Sequence, residues 1–291
     1  MKVGDVRKDE ANGLAARLKT GAVAVVPTDT VYGLVCDAFH EEAKTRIYEL
    51  KGRPRAKSLI GFVAGIEQAG EFAEIPPEYF SLVARSWPGP VTFIFKSRRE
   101  LSFLVSEQGG IALRVPNHPF LLDLLPRTGL LASTSANPSG GVPPDSIAGL
   151  AAEIVEGADI VIDGGTVSGR ESVIWNCTGE LPRLVRGTVL FLCGKNAGRS
   201  SPAAAMLHRM VEGKNVNVRE ESDDAAAREA ALIVVPDEEQ RKRIAGLFPE
   251  SADRIIRLDI PDPAGTEVAS REIRDAMQEK IETVILRRIM P

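Results

Sequence analysis

Four cations fall within seven residues of KGRPRAKSL (51–59): Lys51, Arg53, Arg55 and Lys57, interrupted by Gly52 and Pro54. Glycine and proline favour a fixed loop, and cations alternating on a fixed loop suit the closely spaced charges of a polyphosphate. The plainer alternative is a solvated charged loop. VVPTDTVYGL (25–34) brings Thr28, Asp29, Thr30 and Tyr32 to the end of a strand-like run, with Gly33 permitting an unusual turn. It reads equally well as a turn in which Asp29 caps backbone amides. In IALRVPNHP (111–119), Arg114 stands at a strand end before a proline, a position suited to an anion. LLASTSANPSGG (130–141) closes an apolar run with Ser133, Thr134, Ser135, Asn137 and Ser139 before paired glycines. Small hydroxyls and exposed amides after a strand form a ligand rim in α/β proteins, or simply a capped turn. His118 reads as a helix-start residue, because no second histidine or acidic partner lies at metal-ligand spacing. No metal site is assigned.

A second kind of chemistry is suggested by LCGKNAGRS (192–200). Cys193 and Arg199 bracket five residues, including Gly194 and Asn196, and Ser200 opens a helix-like segment. Loop amides and a helix start can then face one anion, and the same field favours a thiolate, hence a nucleophile, at Cys193. The alternative is the buried end of a strand followed by a tight turn.

These groups need rigid elements behind them. Short β-branched runs at 22–26, 59–63, 91–95, 111–115, 130–133, 159–162, 172–176, 189–193, 216–218, 232–235 and 254–258 alternate with helix-like segments at 41–50, 77–87, 118–125, 146–156, 202–212, 237–247 and 268–290. That alternation predicts an α/β fold. The last helix is the clearest, with Val268, Ile273, Met277, Ile281, Val284 and Ile285 on one stripe. With 291 residues, the chain suits one large or two unequal domains. A strand-like Leu184 to Arg186 stops at Gly187 and a new strand, loop and helix pattern starts at Thr188, which predicts domains at 1–187 and 188–291.

Composition narrows the function classes. Thirty-six basic against 40 acidic residues, a net charge of −4, argue against a nucleic-acid binder working by bulk charge, while a local basic patch stays open. Cys36, Cys177 and Cys193 lack CxxC spacing, so neither a disulfide framework nor a zinc site is expected. The first residues, MKVGDVRKDE, lack the apolar core of a signal peptide, and no apolar run reaches membrane-spanning length. A cytoplasmic protein without membrane association is expected.

PTDTVYGL, KGRP, WPGPVT, LRVPNHP, TSANPSG, VIDGG and LVRG occur in that order over roughly residues 10–187. Together they closely resemble the YrdC-like family of threonylcarbamoyl-AMP synthases, which begin N6-threonylcarbamoyl synthesis on tRNA adenosine. The resemblance implies an open, twisted, mixed sheet with a concave, positively lined pocket for ATP, L-threonine and bicarbonate, with Mg2+ as cofactor. It assigns Lys51, Arg53, Ser135 and Asn137 to the nucleotide and the carboxy intermediate, and Arg186 to ATP. Thr28, Arg114, Ser133 and Ser172 fall to threonine, the arginine taking its carboxylate. The chain departs from the family at Glu171, where a serine is expected beside threonine, which puts amino-acid choice in question. RNA or tRNA-modification proteins are the implied partners.

From 188 to 291 the chain resembles the low-molecular-weight protein tyrosine phosphatases, shortened between NVNVRE and ALIVVPDEE. That resemblance implies a smaller parallel α/β domain, in which Cys193 attacks phosphorus, Arg199 clamps its oxygens, Gly194, Asn196 and Ser200 line the phosphate, and Asp262 of LDIPDPAG is the general acid. Its phosphorylated substrate is unspecified. Two rival readings stay open: an RNA-binding module on the first domain's basic surface, and a phosphatase regulated by an ATP-sensing first domain. Pyrophosphate release requiring threonine and bicarbonate separates them from the synthase reading.

Overall fold

The computed structural model describes residues 8–192, 200–221, 224–259 and 270–289. The chain forms two compact units, Met1–Ser172 and Val173–Pro291.

The first unit contains α1 (Lys8–Lys19), β1 (Ala24–Val26), β2 (Gly33–Asp37), α2 (Glu41–Lys51), β3 (Ile60–Phe62), α3 (Ile66–Phe72), β4 (Ala73–Glu74), α4 (Pro77–Ser86), β5 (Val91–Ser97), β6 (Gly110–Arg114), α5 (Pro119–Thr128), β7 (Leu131–Ser135), α6 (Ala152–Gly157) and β8 (Ile160–Val161). Its twisted sheet runs β5-β6-β3-β7-β2-β1-β8, with β4 beside β5. Pairing is mixed: β3–β6 and β1–β8 are parallel, while β1–β2, β2–β7, β3–β7 and β5–β6 are antiparallel. One core cluster joins Leu14 and Leu18 of α1 and Leu121, Leu124 and Leu125 of α5 to Val26, Val35, Phe62 and Leu131 of the sheet. Burying those side chains against both helices is the main stabilising term for this layer.

α2 ends where Gly52 takes a left-handed conformation, φ 56°. The Gly52 amide donates to Glu49 O at 3.1 Å and the Arg53 amide to Tyr48 O at 2.9 Å. These bonds close the carbonyls of the last turn, and glycine adopts the conformation without a Cβ penalty. Lys51 is therefore held on a finished helix end.

The second unit contains β9 (Val173–Asn176), β10 (Arg183–Leu192), α7 (Ser200–Met210), β11 (Val216–Glu221), β12 (Leu232–Val235), α8 (Glu238–Leu247), β13 (Ile255–Arg257) and α9 (Ser270–Lys280). β10 pairs in parallel with both β11 and β12, and β12 pairs in parallel with β13. Leu190, Leu192, Ile233, Val235, Ile244 and Phe248 form its core.

Four expectations need correction. β10 does not stop at Gly187: it pairs antiparallel with β9 over Arg183–Arg186 and then parallel with β11 from Gly187 on. Gly187, at φ 154°, lets one strand change partners without breaking. The expected helix at 146–156 divides into a 3-10 turn, Ile147–Gly149, and α6, because Leu150 and Ala151 are extended. α1, α3, β2 and β4 were not anticipated. The final helix is regular only over α9 and then widens into a π turn, Ile281–Ile285, although Ile273, Met277, Ile281 and Ile285 are buried as the stripe predicts.

Candidate active site

β2 and β7 lie side by side, with Gly33 opposite Ser135 and Val35 opposite Ser133. Side chains alternate along a strand, so Ser133 and Ser135 share one face of β7. A Cβ on Gly33 would stand 3.4 Å from Ser133 Oγ and 3.8 Å from Thr28 Cγ2. Gly33 thus lies between the 28–32 turn and the serine strand, where a Cβ would meet only ordinary van der Waals contacts.

Within that turn Thr28 is buried, its hydroxyl donating to Val31 O at 2.7 Å and accepting from the Thr30 amide at 3.0 Å. Thr30 Oγ1 accepts from Arg114 Nη1 at 2.9 Å, and Arg114 Nη2 donates to Asp29 Oδ1. Arg114 Nε reaches Gly89 O at 3.0 Å, and its guanidinium lies 5.9 Å from the Phe62 ring centroid. Arg114 is buried and its ion pair with Asp29 is shielded. Asp29 Oδ2 and His118 Nδ1 are buried and lack a hydrogen-bond partner among the described residues. Burial lowers the His118 pKa and the Asp29 charge opposes that shift.

Lys51 is 3% exposed. Its ammonium donates to Ser135 O at 2.5 Å and to Asn137 O, with Asn137 Oδ1 farther off at 3.5 Å. Burial pushes its pKa down to about 8; Arg53 adds to the shift and Glu171 opposes it. Among the described residues its hydrogen-bond partners are neutral oxygens. Asn137 Nδ2 donates to Pro138 O and Gly141 O, each at 2.8 Å, and the Ser139 amide donates to Lys51 O at 2.7 Å. The TSANPSGG loop is therefore closed around the lysine that it receives.

The four cations of KGRPRAKSL do not converge. Arg53 turns back on its own loop, donating to Lys57 O at 3.0 Å and Ser58 O at 2.9 Å. Arg55 stacks over the Phe103 ring at 5.3 Å, and Lys57 is exposed. Unpaired carbonyls and an aromatic face were available locally, and cations take them.

Ser172 is buried and shares a 3.0 Å hydrogen bond with Thr92, while the neighbouring Glu171 is exposed. The turn carrying VIDGG is tied to the same region: Tyr32 Oη donates to Gly165 O at 2.7 Å and accepts from the Gly164 amide at 2.9 Å. Ser168 Oγ donates to Thr30 O at 2.9 Å.

The first unit thus joins Thr28 to Arg114 through Thr30, and Lys51 to Ser135 and Asn137 directly; Ser133 and Thr28 both flank Gly33. Arg186 stands on β10, in the second unit. Cys193, Gly194, Asn196, Arg199 and Asp262 lie outside the described residues, and Ser200 opens α7. The Asp29 pairing, the Thr30 bridge and the Tyr32 clasp had no local sequence signal: Asp29 and Arg114 are 85 residues apart. A cleft of about 620 Å³ lined by Phe39, Glu41, Glu100, Leu101 and Ser102 contains none of these candidates.

The Sua5/YciO/YrdC family profile, described as telomere recombination, matches residues 16–187. The threonylcarbamoyl-AMP synthase of Bacillus subtilis is 36% identical over 177 residues, 59% of this chain and 51% of that protein. The chain therefore spans about half the length of that relative. The Pseudomonas putida F1 enzyme of the same name is 35% identical over 174 residues, 58% of this chain and 94% of the relative. In fold, the chain is similar to Pyrococcus abyssi Sua5 complexed with L-threonine, with a TM-score of 0.57, 23% identity and coverage of 95% of this chain and 86% of that one. By a family match that extends over more than half its residues, the chain belongs to the Sua5/YciO/YrdC family.

Proposed function

We propose that the chain is a threonylcarbamoyl-AMP synthase, forming threonylcarbamoyl-AMP and pyrophosphate from L-threonine, bicarbonate and ATP for N6-threonylcarbamoyladenosine synthesis in the cytoplasm. The observation that carries this reading is Lys51, a buried ammonium held between the Ser135 and Asn137 carbonyls. Neutral carbonyls orient such a cation without cancelling it, and an incoming phosphate restores the charge compensation that burial removed. Names of the curated relatives point the same way.

In this reading bicarbonate yields CO2 with loss of hydroxide, the threonine ammonium gives up a proton and the free amine adds to CO2 with loss of a second proton, hydroxide and one proton leaving as water; the carbamate oxygen then attacks the α-phosphorus as its bond to the pyrophosphate oxygen breaks and pyrophosphate leaves. The chain's contribution is positioning and charge neutralisation. Lys51, Ser135 and Asn137 hold the nucleotide and the carboxy intermediate, with Arg53 bracing the adjoining loop. Arg186 is assigned to ATP, and Thr28, Arg114, Ser133 and Ser172 line a concave threonine pocket. No group of three or more His, Cys, Asp or Glu among the described residues could hold a metal ion. They do not form a resident magnesium cage, so magnesium is assigned to the ATP phosphates as part of the substrate. RNA or tRNA-modification proteins are the proposed recipients of the product.

A cysteine-dependent phosphatase in 188–291 is the second reading. It is supported by the parallel strands β11-β10-β12-β13, in which β10 ends at Leu192, directly before Cys193 in the chain. In parallel α/β sheets, ligands gather beyond the carboxyl ends of such strands. Aryl phosphate hydrolysis that survives Cys193→Ser would overturn it.

The synthase is tested by incubating the chain with ATP, magnesium, bicarbonate and single amino acids, then detecting the aminoacyl carbamoyl adenylate by mass spectrometry. Product is expected with L-threonine, and pyrophosphate release should require both threonine and bicarbonate. No product with any amino acid overturns the proposal.

A further inference from the structure

Asp29 is a largely buried carboxylate at this site, with its side chain 13% exposed. Oδ1 is satisfied by Arg114. Oδ2 is shielded from solvent and has no donor among the described residues. A buried carboxylate oxygen without a donor is costly, and native proteins supply one from the chain, from ordered water or from a ligand. Thr30 Oγ1, a hydroxyl on the same turn, is already engaged by Thr28 and Arg114. His118 feels the Asp29 charge, and its buried Nδ1 has no hydrogen-bond partner among the described residues. Two unsatisfied polar atoms therefore share one electrostatic neighbourhood beside a buried guanidinium.

An Arg–Asp pair presents a positive and a negative end next to each other. An α-amino acid zwitterion presents the complement, a carboxylate and an ammonium on adjoining atoms. We infer that Asp29 Oδ2 is the acceptor for the α-ammonium of the amino-acid substrate, while Arg114 takes the carboxylate, so that the pair recognises the zwitterion as a unit. The inference rests on the synthase reading and adds a residue and a selectivity to it. A 2-hydroxy acid fills only the arginine half and leaves Oδ2 facing a weaker, uncharged donor. Asp29 thus selects α-amino acids over their hydroxy counterparts before any bond is made.

The test is direct binding by titration calorimetry of L-threonine and of the 2,3-dihydroxybutanoate of matching stereochemistry, to the full chain and to Asp29→Asn. The wild type should bind threonine about tenfold or more tightly than the hydroxy acid, as expected for a charge-assisted hydrogen bond. Asp29→Asn should lose about tenfold or more for threonine and little for the hydroxy acid, with ATP binding retained as the measure of an intact fold. Equal losses for both ligands would show that Asp29 only shapes Arg114 and would overturn the inference. If Asp29→Asn fails to fold, the wild-type comparison decides: equal affinity for the two ligands overturns it. Threonine binding that persists in Asp29→Asn overturns the amine assignment and leaves the synthase reading standing. Adenylate product with no amino acid removes both.

Discussion

Lys51 gives up its proton near pH 8 because burial disfavours the ammonium and Arg53 repels it. If the charged form is what holds the nucleotide, pyrophosphate release should fall as pH rises through about 8, and Lys51→Arg should remove that limb because guanidinium stays charged. Glu171 opposes the shift, so Glu171→Ser should move the limb to lower pH; a limb that stays in place would show that another group titrates. Lys51→Ala should cost about a hundredfold or more in rate at neutral pH. Folding carries the matching sign. Between about 8 and the ordinary lysine value of 10.5, the unfolded chain keeps a proton that the folded chain has released, so this residue's contribution to stability rises with pH across that window and is lost as pH falls through about 8. At this level the sequence singled out Lys51, Ser135, Asn137, Thr28 and Arg114, and the structure brings Lys51 to Ser135 and Asn137, and Arg114 to the turn that carries Thr28. It did not disclose pairings, because Asp29 meets Arg114 only after the strands between them are assembled, and because Arg53 and Arg55 lie against carbonyls of their own loop and the Phe103 ring.

Gly187 is where a single strand exchanges one kind of neighbour for another. An added Cβ there would stand 2.9 Å from Ala231 Cβ and 3.1 Å from Leu184 Cδ1, on a backbone at φ 154°. Gly187→Ala should destabilise the chain by about 1–3 kcal/mol, read as a lower urea midpoint at unchanged slope. Gly213, at φ 77° with open space around it, is the control, since substitution there meets only the backbone term. Long, strongly patterned elements were legible: β12 falls on the predicted residues, and α2, α4 and α8 within one residue at each end. α1 was hidden by Asn12 and Gly13 in its middle, residues that favour turns. β2 was hidden because GLVCD continues a motif dominated by turn residues, and its strand character comes from pairing on both edges with β1 and β7. Tertiary pairing decided where local preference was weak.

The whole chain forms two compact units of unequal size, and the family match reaches residue 187, past the end of the first. Among the described residues no helix is long and apolar enough to cross a membrane. The residues proposed for threonine, and Lys51, Ser135 and Asn137, all lie in the first unit at 28–172, while Arg186 stands on β10 of the second. Placement of β10 has a consequence in time as well as in space. Val189, Leu190 and Phe191 pair on one edge with β11 and on the other with β12. Their amides point alternately to one neighbour and to the other, so exchange across the whole segment requires both neighbours to let go, an event that approaches unfolding of the unit. In native-state exchange read by mass spectrometry, a peptide covering these residues should label later than any other from Val173–Pro291, and β13, which among the described residues pairs only with β12, should label well before it. The strand that looked in sequence like a border between two segments would then be the slowest clock in the second of them.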